Sequence, residues 1–326
     1  MDIKFSVIIP LYNKENFIKK TVLSVLEQEY NNFEIIVIDD CSKDNSLSVL
    51  LNQVILFDKN NKLRIYKNKV NKGVSYTRNK GIELSSGNYI LFLDADDEIN
   101  NKYLFNNLNS FIKKYKADYI LLSRNYHNRF IRPNFRSIRK YLRYLEGDFY
   151  EIIDNNSVAI KGDFPFGGSG SAVISTNILK DHRFELSEPL YEDWLFFIDL
   201  FLKNKAFYYN FESIKVNFDK NSLTNSYKKS SLPRLPKVYY LLKNKEDYKQ
   251  VKKEFFWLWL NSNIKKDLKY IDLCRILKEY KYEIKENITF SKKSINIILR
   301  ITLKIILSFV RSYKEWKMND SSMGKR

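Results

Sequence analysis

Five short runs rich in β-branched and aromatic residues recur through the first 126 residues, and helical patterns separate them. The runs are Phe5–Ile9, Glu34–Ile38, Leu63–Tyr66, Tyr89–Leu93 and Asp118–Leu122. This alternation restricts the fold more than any other feature, because strands that take turns with helices close into a mostly parallel sheet covered on both faces. Between the first two runs, Glu15–Glu29 carries Ile18, Val22, Val25 and Leu26 at helical spacing, which completes one βαβ unit. Val74–Leu84 and Asn101–Tyr115 supply further helices, the second with Leu104, Leu108, Phe111 and Ile112 along one side. The expected fold class is α/β.

From about Ser137 the pattern changes to an expected aromatic-rich helix, Ile138–Ile153, and then to a glycine-rich segment from Lys161 to Gly170. Segments of that composition tend to be mobile and functional. Strands are expected at Ser171–Ile174 and Ala206–Asn210, flanking a helix that opens near Glu192. Beyond Pro233 and Pro236 the chain becomes mostly helical, lysine-rich and poor in glycine, so a boundary is placed there. The expected organisation is an α/β domain over 1–230 and a basic helical region over 231–326, with no internal repeat.

A length of 326 residues suffices for one large domain and an appended segment, and 44% hydrophobic with 29% charged residues describes a globular chain with a full core. Two cysteines, Cys41 and Cys274, offer no disulfide framework, which suits a reducing cytoplasm. The first apolar run ends at Pro10 without a small-residue cleavage site, so it reads as a strand and not a leader. The late apolar stretch from Ile295 to Val310 is interrupted by Arg300 and Lys304, and a membrane-spanning helix is not expected from it. The formal net charge of +18 draws anionic partners, whether nucleic acid, phospholipid or phosphorylated substrate, and charge alone does not choose among them. Lysines spread along helix faces, without a helix-turn-helix, RNA-recognition or zinc-ligand pattern, argue against a nucleic-acid partner.

The chemistry-bearing residues follow the strands. The first run leads into Pro10-Leu11-Tyr12-Asn13-Lys14-Glu15 and the second into Asp39-Asp40-Cys41-Ser42, at the edge where open parallel sheets bind ligands. An Asp there can accept hydrogen bonds from a base or ribose, or simply cap the next helix. The fourth run is apolar throughout and stops at Asp94-Ala95-Asp96-Asp97-Glu98. Four carboxylates so close repel one another and call for a cation. Hard oxygen ligands of this kind suit Mg²⁺ or Mn²⁺, whose shells are filled by water and phosphate oxygens. Asn71-Lys72-Gly73 opens a basic helix containing Arg78, where backbone amides and cationic side chains can hold phosphate. By itself that pattern is weak, and Arg78 alone reads equally as a surface residue.

The ordered segments 7–13, 37–44, 71–81 and 85–97, together with Tyr191-Glu192-Asp193-Trp194, resemble the family 2 glycosyltransferases, inverting enzymes of the GT-A fold. The resemblance covers roughly the first 225 residues. It implies metal-dependent transfer of a hexosyl or N-acetylhexosaminyl group from a nucleotide-sugar donor, with uridine diphosphate sugars foremost. The implied acceptor is a saccharide or lipid-linked saccharide in bacterial surface-glycan synthesis. By the same resemblance Pro10, Tyr12, Asn13 and Glu15 line the nucleoside pocket and Asp40 recognises the base. Asn71, Gly73 and Arg78 lie at the donor phosphates, Asp94 and Ala95 at the ribose or donor sugar. Asp96, with Asp94, ligates Mn²⁺ or Mg²⁺. Glu192 and Asp193 supply the catalytic base, with Asp193 preferred, while Gly167, Gly168 and Trp194 meet the acceptor.

A base is required on chemical grounds as well, because inverting transfer needs one carboxylate to take the acceptor's proton, and the start of a helix favours the ionised form. The chain departs from the family pattern twice. Cys41 stands where a glycine is usual, which is expected to alter only the packing of the turn. Asp219 to Asn221 stand where many relatives carry a His before Ser-Leu-Thr, so Lys220 or another cation is expected to take its place at the leaving group. Near the C-terminus, an apolar helix with Lys293, Arg300, Lys304 and Arg311 on one stripe is expected either to pack on protein, including a second copy, or to rest on the inner face of the cell membrane. The rival readings are a sugar nucleotidyltransferase, which would need a glycine-rich basic loop where Pro10-Leu-Tyr-Asn stands, and a basic nucleic-acid-binding protein.

Overall fold

The computed structural model describes residues 2–126, 130–161, 172–186, 192–219, 239–240, 249–264 and 276–287. It divides into two compact units, Met1–Lys220 and Asn221–Arg326. The first unit is α/β. Its strands are β1 (Phe5–Leu11), β2 (Phe33–Asp39), β3 (Leu63–Lys67), β4 (Tyr89–Phe92), β5 (Glu98–Ile99), β6 (Tyr119–Tyr126), β7 (Phe130–Arg132), β8 (Leu142–Glu146), β9 (Phe149–Ile152), β10 (Ala172–Ser175) and β11 (Ala206–Val216). They form one sheet in the order β3-β2-β1-β4-β10-β6-β11-β9-β8, with β5 paired to β11 and β7 to β6.

Strands β3, β2, β1 and β4 are mutually parallel. Strand β10 runs antiparallel to both β4 and β6, so β6, and β11 parallel to it, point the same way as the first four. Most strands of the sheet therefore run one way, as its sequence pattern requires, with β10 set against them in the middle. Every residue of β2 and β4 is buried, which is what strands covered on both faces demand of their side chains. One consequence governs the rest of the molecule: the carboxyl ends of β1, β2, β4, β6 and β11 share one edge.

The helices are α1 (Ile18–Leu26), α2 (Ser46–Val49), α3 (Val74–Leu84), α4 (Leu104–Tyr115), α5 (Phe135–Ile138), α6 (Asn155–Lys161) and α7 (Glu192–Lys203). Helix α1 buries Ile18, Thr21, Val22 and Val25, and α4 buries Leu104, Phe105, Leu108, Phe111 and Ile112. Helix α4 stops where Lys116 turns left-handed at φ 52°. Gly81 lets α3 settle on β1, since a Cβ there would lie 2.3 Å from Ile8 Cγ2. At Gly87 a Cβ would come within 2.7 Å of the Ser6 backbone nitrogen and 2.9 Å of the Lys4 carbonyl, so only glycine admits this crossing.

Two expectations are corrected. Ile138–Ile153 is not a helix: α5 and a single 3₁₀ turn give way to the hairpin β8–β9, which turns at Gly147 with φ 50°. Phe149 and Ile152, at the two ends of β9, are buried as β9 pairs with β11, and this burial outweighs the helical spacing of the aromatic residues. Cys41 is more than a packing change, because its φ is 64°, a left-handed conformation that favours glycine.

In the second unit, Lys249–Ile264 and Lys281–Asn287 are helical. Their contact is polar at its centre: Trp257 Nε1 donates to the Asn287 carbonyl at 2.8 Å, and Asn287 Nδ2 donates to the Tyr239 hydroxyl at 2.8 Å. Among the described residues no helix is long and apolar enough to cross a membrane. The expected basic stripe from Lys293 to Arg311 lies outside the described residues.

Candidate active site

At the shared strand edge, the loops after β1 and β2 are tied to each other by side chains. Asn13, at φ 52°, receives a bond from the Lys43 amide at 2.8 Å and donates its own amide to Ser42 Oγ at 3.0 Å. Glu15 accepts from the Asn45 amide and from Asn45 Nδ2, both at 2.9 Å. Pro10 and Tyr12, half-buried, complete this wall. Asp40 is buried and fully engaged: its carboxylate accepts from Asn68 Nδ2 at 2.8 Å, from the Lys72 amide at 2.9 Å and from the Gly73 amide at 2.7 Å. It thereby fixes the turn that starts α3, where Gly73 caps the helix at φ 87° and Asn71 is exposed. By contrast Asp39, also buried, holds the Ser42 amide with one oxygen and leaves Oδ2 without a partner.

Arg78 organises the centre. It is buried on α3, and its guanidinium donates through Nη2 to Asp94 Oδ1 and through Nη1 to Glu192 Oε1, each at 3.0 Å. Burial opposes its charge, but Asp94, Glu192 and Asp193 outweigh that and hold its pKa above the ordinary value. The residues 114 positions apart meet because of the aromatic core beneath them. Asn79 clamps the backbone of Phe184 in both directions, at 2.9 and 2.8 Å. Phe184 stacks on Phe196, one turn along α7 from Glu192, at 3.8 Å, and both rings meet Phe92 at the end of β4.

The acidic turn behind β4 is equally constrained. The Ala95 carbonyl accepts from Thr21 Oγ1 of α1 at 2.9 Å. Asp97 is buried and accepts from the Asn217 amide at 3.2 Å, while Asn217 Nδ2 reaches both the Asp96 carbonyl and Glu98 Oε1 at 2.8 Å. Asp96 is bound by Lys14 Nζ at 2.6 Å, and the same ammonium lies 2.6 Å from Asp219. Acids here are under-compensated. Burial, then Asp94, raise the pKa of Asp96 against the pull of Lys14, and burial with Asp94 and Asp96 raises that of Asp97 well above the usual range. The Asp193 carboxyl, expected to be kept ionised by the helix start, is instead pushed up to about 7, by burial first and Glu192 second, with Arg78 opposing. Its Oδ1 also accepts from the Trp194 amide at 2.8 Å.

The donor set is all oxygen and carries excess negative charge, the combination that suits a hard divalent cation. Among the described residues no group of three His, Cys, Asp or Glu converges closely enough to hold an ion unaided. One or two carboxylates with phosphate oxygens and water fit that arrangement better than a closed protein cage.

The structure thus brings Arg78, Asp94, Asp96, Glu192 and Asp193 to one edge, and places Asn13, Glu15 and Asp40 in the scaffold of its loops. Gly167, Gly168 and Lys220 lie outside the described residues. Lys14 and Asn217 carried no sequence signal, and Asp219 was marked only as a departure from the His that many relatives carry there. Lys14 stands inside a recognised motif as an ordinary loop lysine, and the other two reach the site only because β5 pairs with the end of β11.

This architecture is the GT-A fold. The Staphylococcus aureus TarS fragment 1–349, solved in complex with UDP-GlcNAc, shares it with a TM-score of 0.63 at 22% identity, over 90% of this chain and 89% of that one. Residues 6–182 match the model of glycosyl transferase family 2, and the chain belongs to that family. An uncharacterized glycosyltransferase of Haemophilus influenzae is 38% identical over 110 residues, 34% of this chain and 43% of that protein. Poly(ribitol-phosphate) beta-N-acetylglucosaminyltransferase TarS of S. aureus is 32% identical over 131 residues, 36% of this chain and 20% of that protein. The matches therefore span less than half the length of these two relatives.

Proposed function

We propose that this chain is an inverting glycosyltransferase of bacterial surface-polysaccharide synthesis. It moves a hexosyl or N-acetylhexosaminyl group from a nucleoside-diphosphate sugar, a uridine diphosphate sugar foremost, to a saccharide or lipid-linked saccharide. The carrying observation is the Arg78 bridge, which joins Asp94 at the donor side to Glu192 beside the candidate base at 3.0 Å on each arm. Family membership and the name of the TarS relative support the same class of reaction.

In this reading Asp193 removes the proton of the acceptor hydroxyl as that oxygen bonds to the anomeric carbon, while the bond from that carbon to the diphosphate oxygen breaks on the opposite face. Arg78 orients Glu192 and Asp94 and keeps positive charge at the donor side. Asp40 takes the Lys72 and Gly73 amides and so holds the turn from which α3 carries Arg78 to the donor side. Asp96, with Asp94, would hold Mn²⁺ or Mg²⁺, which when bound supplies charge stabilisation to the departing diphosphate. Residues 1–230 act as the catalytic domain, and contact of 231–326 with the inner face of the membrane is part of the same proposal.

The test is to incubate the full chain with uridine and guanosine diphosphate sugars, with Mn²⁺ or Mg²⁺, and to follow nucleotide release and product anomeric configuration by NMR. Release of nucleoside diphosphate with inversion is expected. Consumption of nucleoside triphosphate and sugar phosphate with release of pyrophosphate would transfer the assignment to a nucleotidyltransferase, and no donor turnover at all would end it.

A further inference from the structure

The side chain of Lys14 sets a cation directly on the acidic turn. Its Nζ lies 2.6 Å from Asp96 and 2.6 Å from Asp219, and the three side chains are only 17%, 15% and 10% exposed. This is a built cradle and not a chance surface pair. The Lys14 amide is held by Ser46 Oγ at 2.7 Å, and Asp44 in turn bonds that serine and the Glu15 amide. On the other side, Asn217 fastens the end of β11 to Asp96, Asp97 and Glu98, which sets Asp219 opposite Asp96. Loops from three strand ends thus aim one ammonium and two carboxylates at a common point.

We propose that Lys14 is a resident counter-ion of the donor site: it pairs Asp96 with Asp219 when no nucleotide is bound, and a divalent cation binds Asp96 at the expense of that pair. The inference rests on the proposed role of Asp96 as a metal ligand. Lys14 holds Asp96 Oδ2 at 2.6 Å, so a divalent ion that takes that oxygen must displace the ammonium and one that takes Oδ1 meets its positive charge close by; either way the lysine lowers the affinity of the site for the ion. The arrival of a donor changes the balance, because its diphosphate offers the released ammonium a new anionic partner and the ion further oxygen ligands. Metal and nucleotide then bind with positive coupling, and Lys14 supplies part of that coupling. Lys14 is a positioning residue in this scheme. Its effect passes through Asp96 and Asp219.

The experiment is a Mn²⁺ titration of the full chain, read by the EPR signal of free Mn²⁺, with and without UDP, on wild type, Lys14→Met, Lys14→Gln and Lys14→Arg. Thermal melts establish that each is folded. Removing the ammonium is expected to tighten Mn²⁺ binding to the nucleotide-free chain by about tenfold in the Met and Gln variants, and to shrink the gain conferred by UDP. The Arg variant, which keeps the charge, is expected to show no tightening. A merely structural lysine would give weaker binding on replacement, the opposite sign. Mn²⁺ affinity unchanged or weaker in a folded Met or Gln variant, tightening in the Arg variant as well, or no Mn²⁺ binding in any variant overturns the proposal. The readout needs no sugar transfer: tightening without turnover of any sugar nucleotide retains the counter-ion and removes the enzymatic assignment, and turnover with indifferent Mn²⁺ affinity does the reverse.

Discussion

The two edges of the sheet contain buried acids beside an arginine, and they treat them in opposite ways. At the amino edge Glu34 of β2 is answered on every side, by Ser6 Oγ at 2.7 Å, the Ser86 amide at 2.7 Å, Ser86 Oγ at 2.8 Å and Arg64 Nη1 at 2.8 Å. Burial alone would raise its pKa, but the bonds from Ser86 and Ser6, then Arg64, outweigh that and bring it down to about 2. At the carboxyl edge Asp96, Asp97 and Asp193 move upward, because burial first and neighbouring acids second outweigh the nearby cations. Equal ingredients therefore give a finished structural lock at one end and an incomplete charge balance at the other. An open groove of about 700 Å³ beside Glu34 does not alter this, since the acid it borders already has its partners. The acids left in want of positive charge are those where a ligand is proposed.

Asp193→Asn is expected to lower kcat for donor turnover by about a thousandfold while leaving the thermal midpoint unchanged or raised, since a burdened carboxylate is removed. Loss of activity with an equal loss of folding would reduce Asp193 to a structural acid.

Glu34→Ala should do the converse, costing roughly 2 kcal/mol in urea denaturation because it takes the acceptor from the Ser6 hydroxyl and from the Ser86 amide and hydroxyl, with turnover by the folded fraction unchanged. The pH dependence follows from the sign of the shift. A depressed carboxyl stabilises above its unfolded pKa, so the wild-type advantage over Glu34→Gln should be full above pH ~4.5 and fade as pH falls towards ~2.

The raised pKa of Asp193 predicts an acid limb in the rate profile. A base must be ionised to act, so kcat/KM should fall about tenfold per pH unit below a midpoint near 7. A profile flat down to pH 5 would place the base elsewhere.

The smallest effect is expected at Cys41, whose φ of 64° strains a side chain beside the engaged Asp40. Cys41→Gly should stabilise the fold by about 1 kcal/mol, measured as a rise in Tm, with little change in turnover.

Local pattern was sufficient wherever the physics is local. Apolar runs such as Tyr89–Phe92 must be buried on both faces, helical spacing in Leu104–Tyr115 must present one apolar side, and a run of acids at a strand end must repel. From these the α/β class, the strand edge and the 94–98 turn were legible in the sequence, and the ordered motifs named the family. Pattern failed at 138–153, where helical spacing and a buried hairpin compete and the partner strand β11 decides. It also gave Asn13, Glu15 and Asp40 as donor contacts without revealing that each is tied to neighbouring loops. What the tertiary structure alone decided is which distant charges meet: Arg78 with Glu192 through the Phe184 and Phe196 stack, and Lys14 with Asp219 through the pairing of β5 and β11. Charge interactions act over a few ångströms of space irrespective of separation along the chain, so no spacing rule can encode them before the sheet has closed.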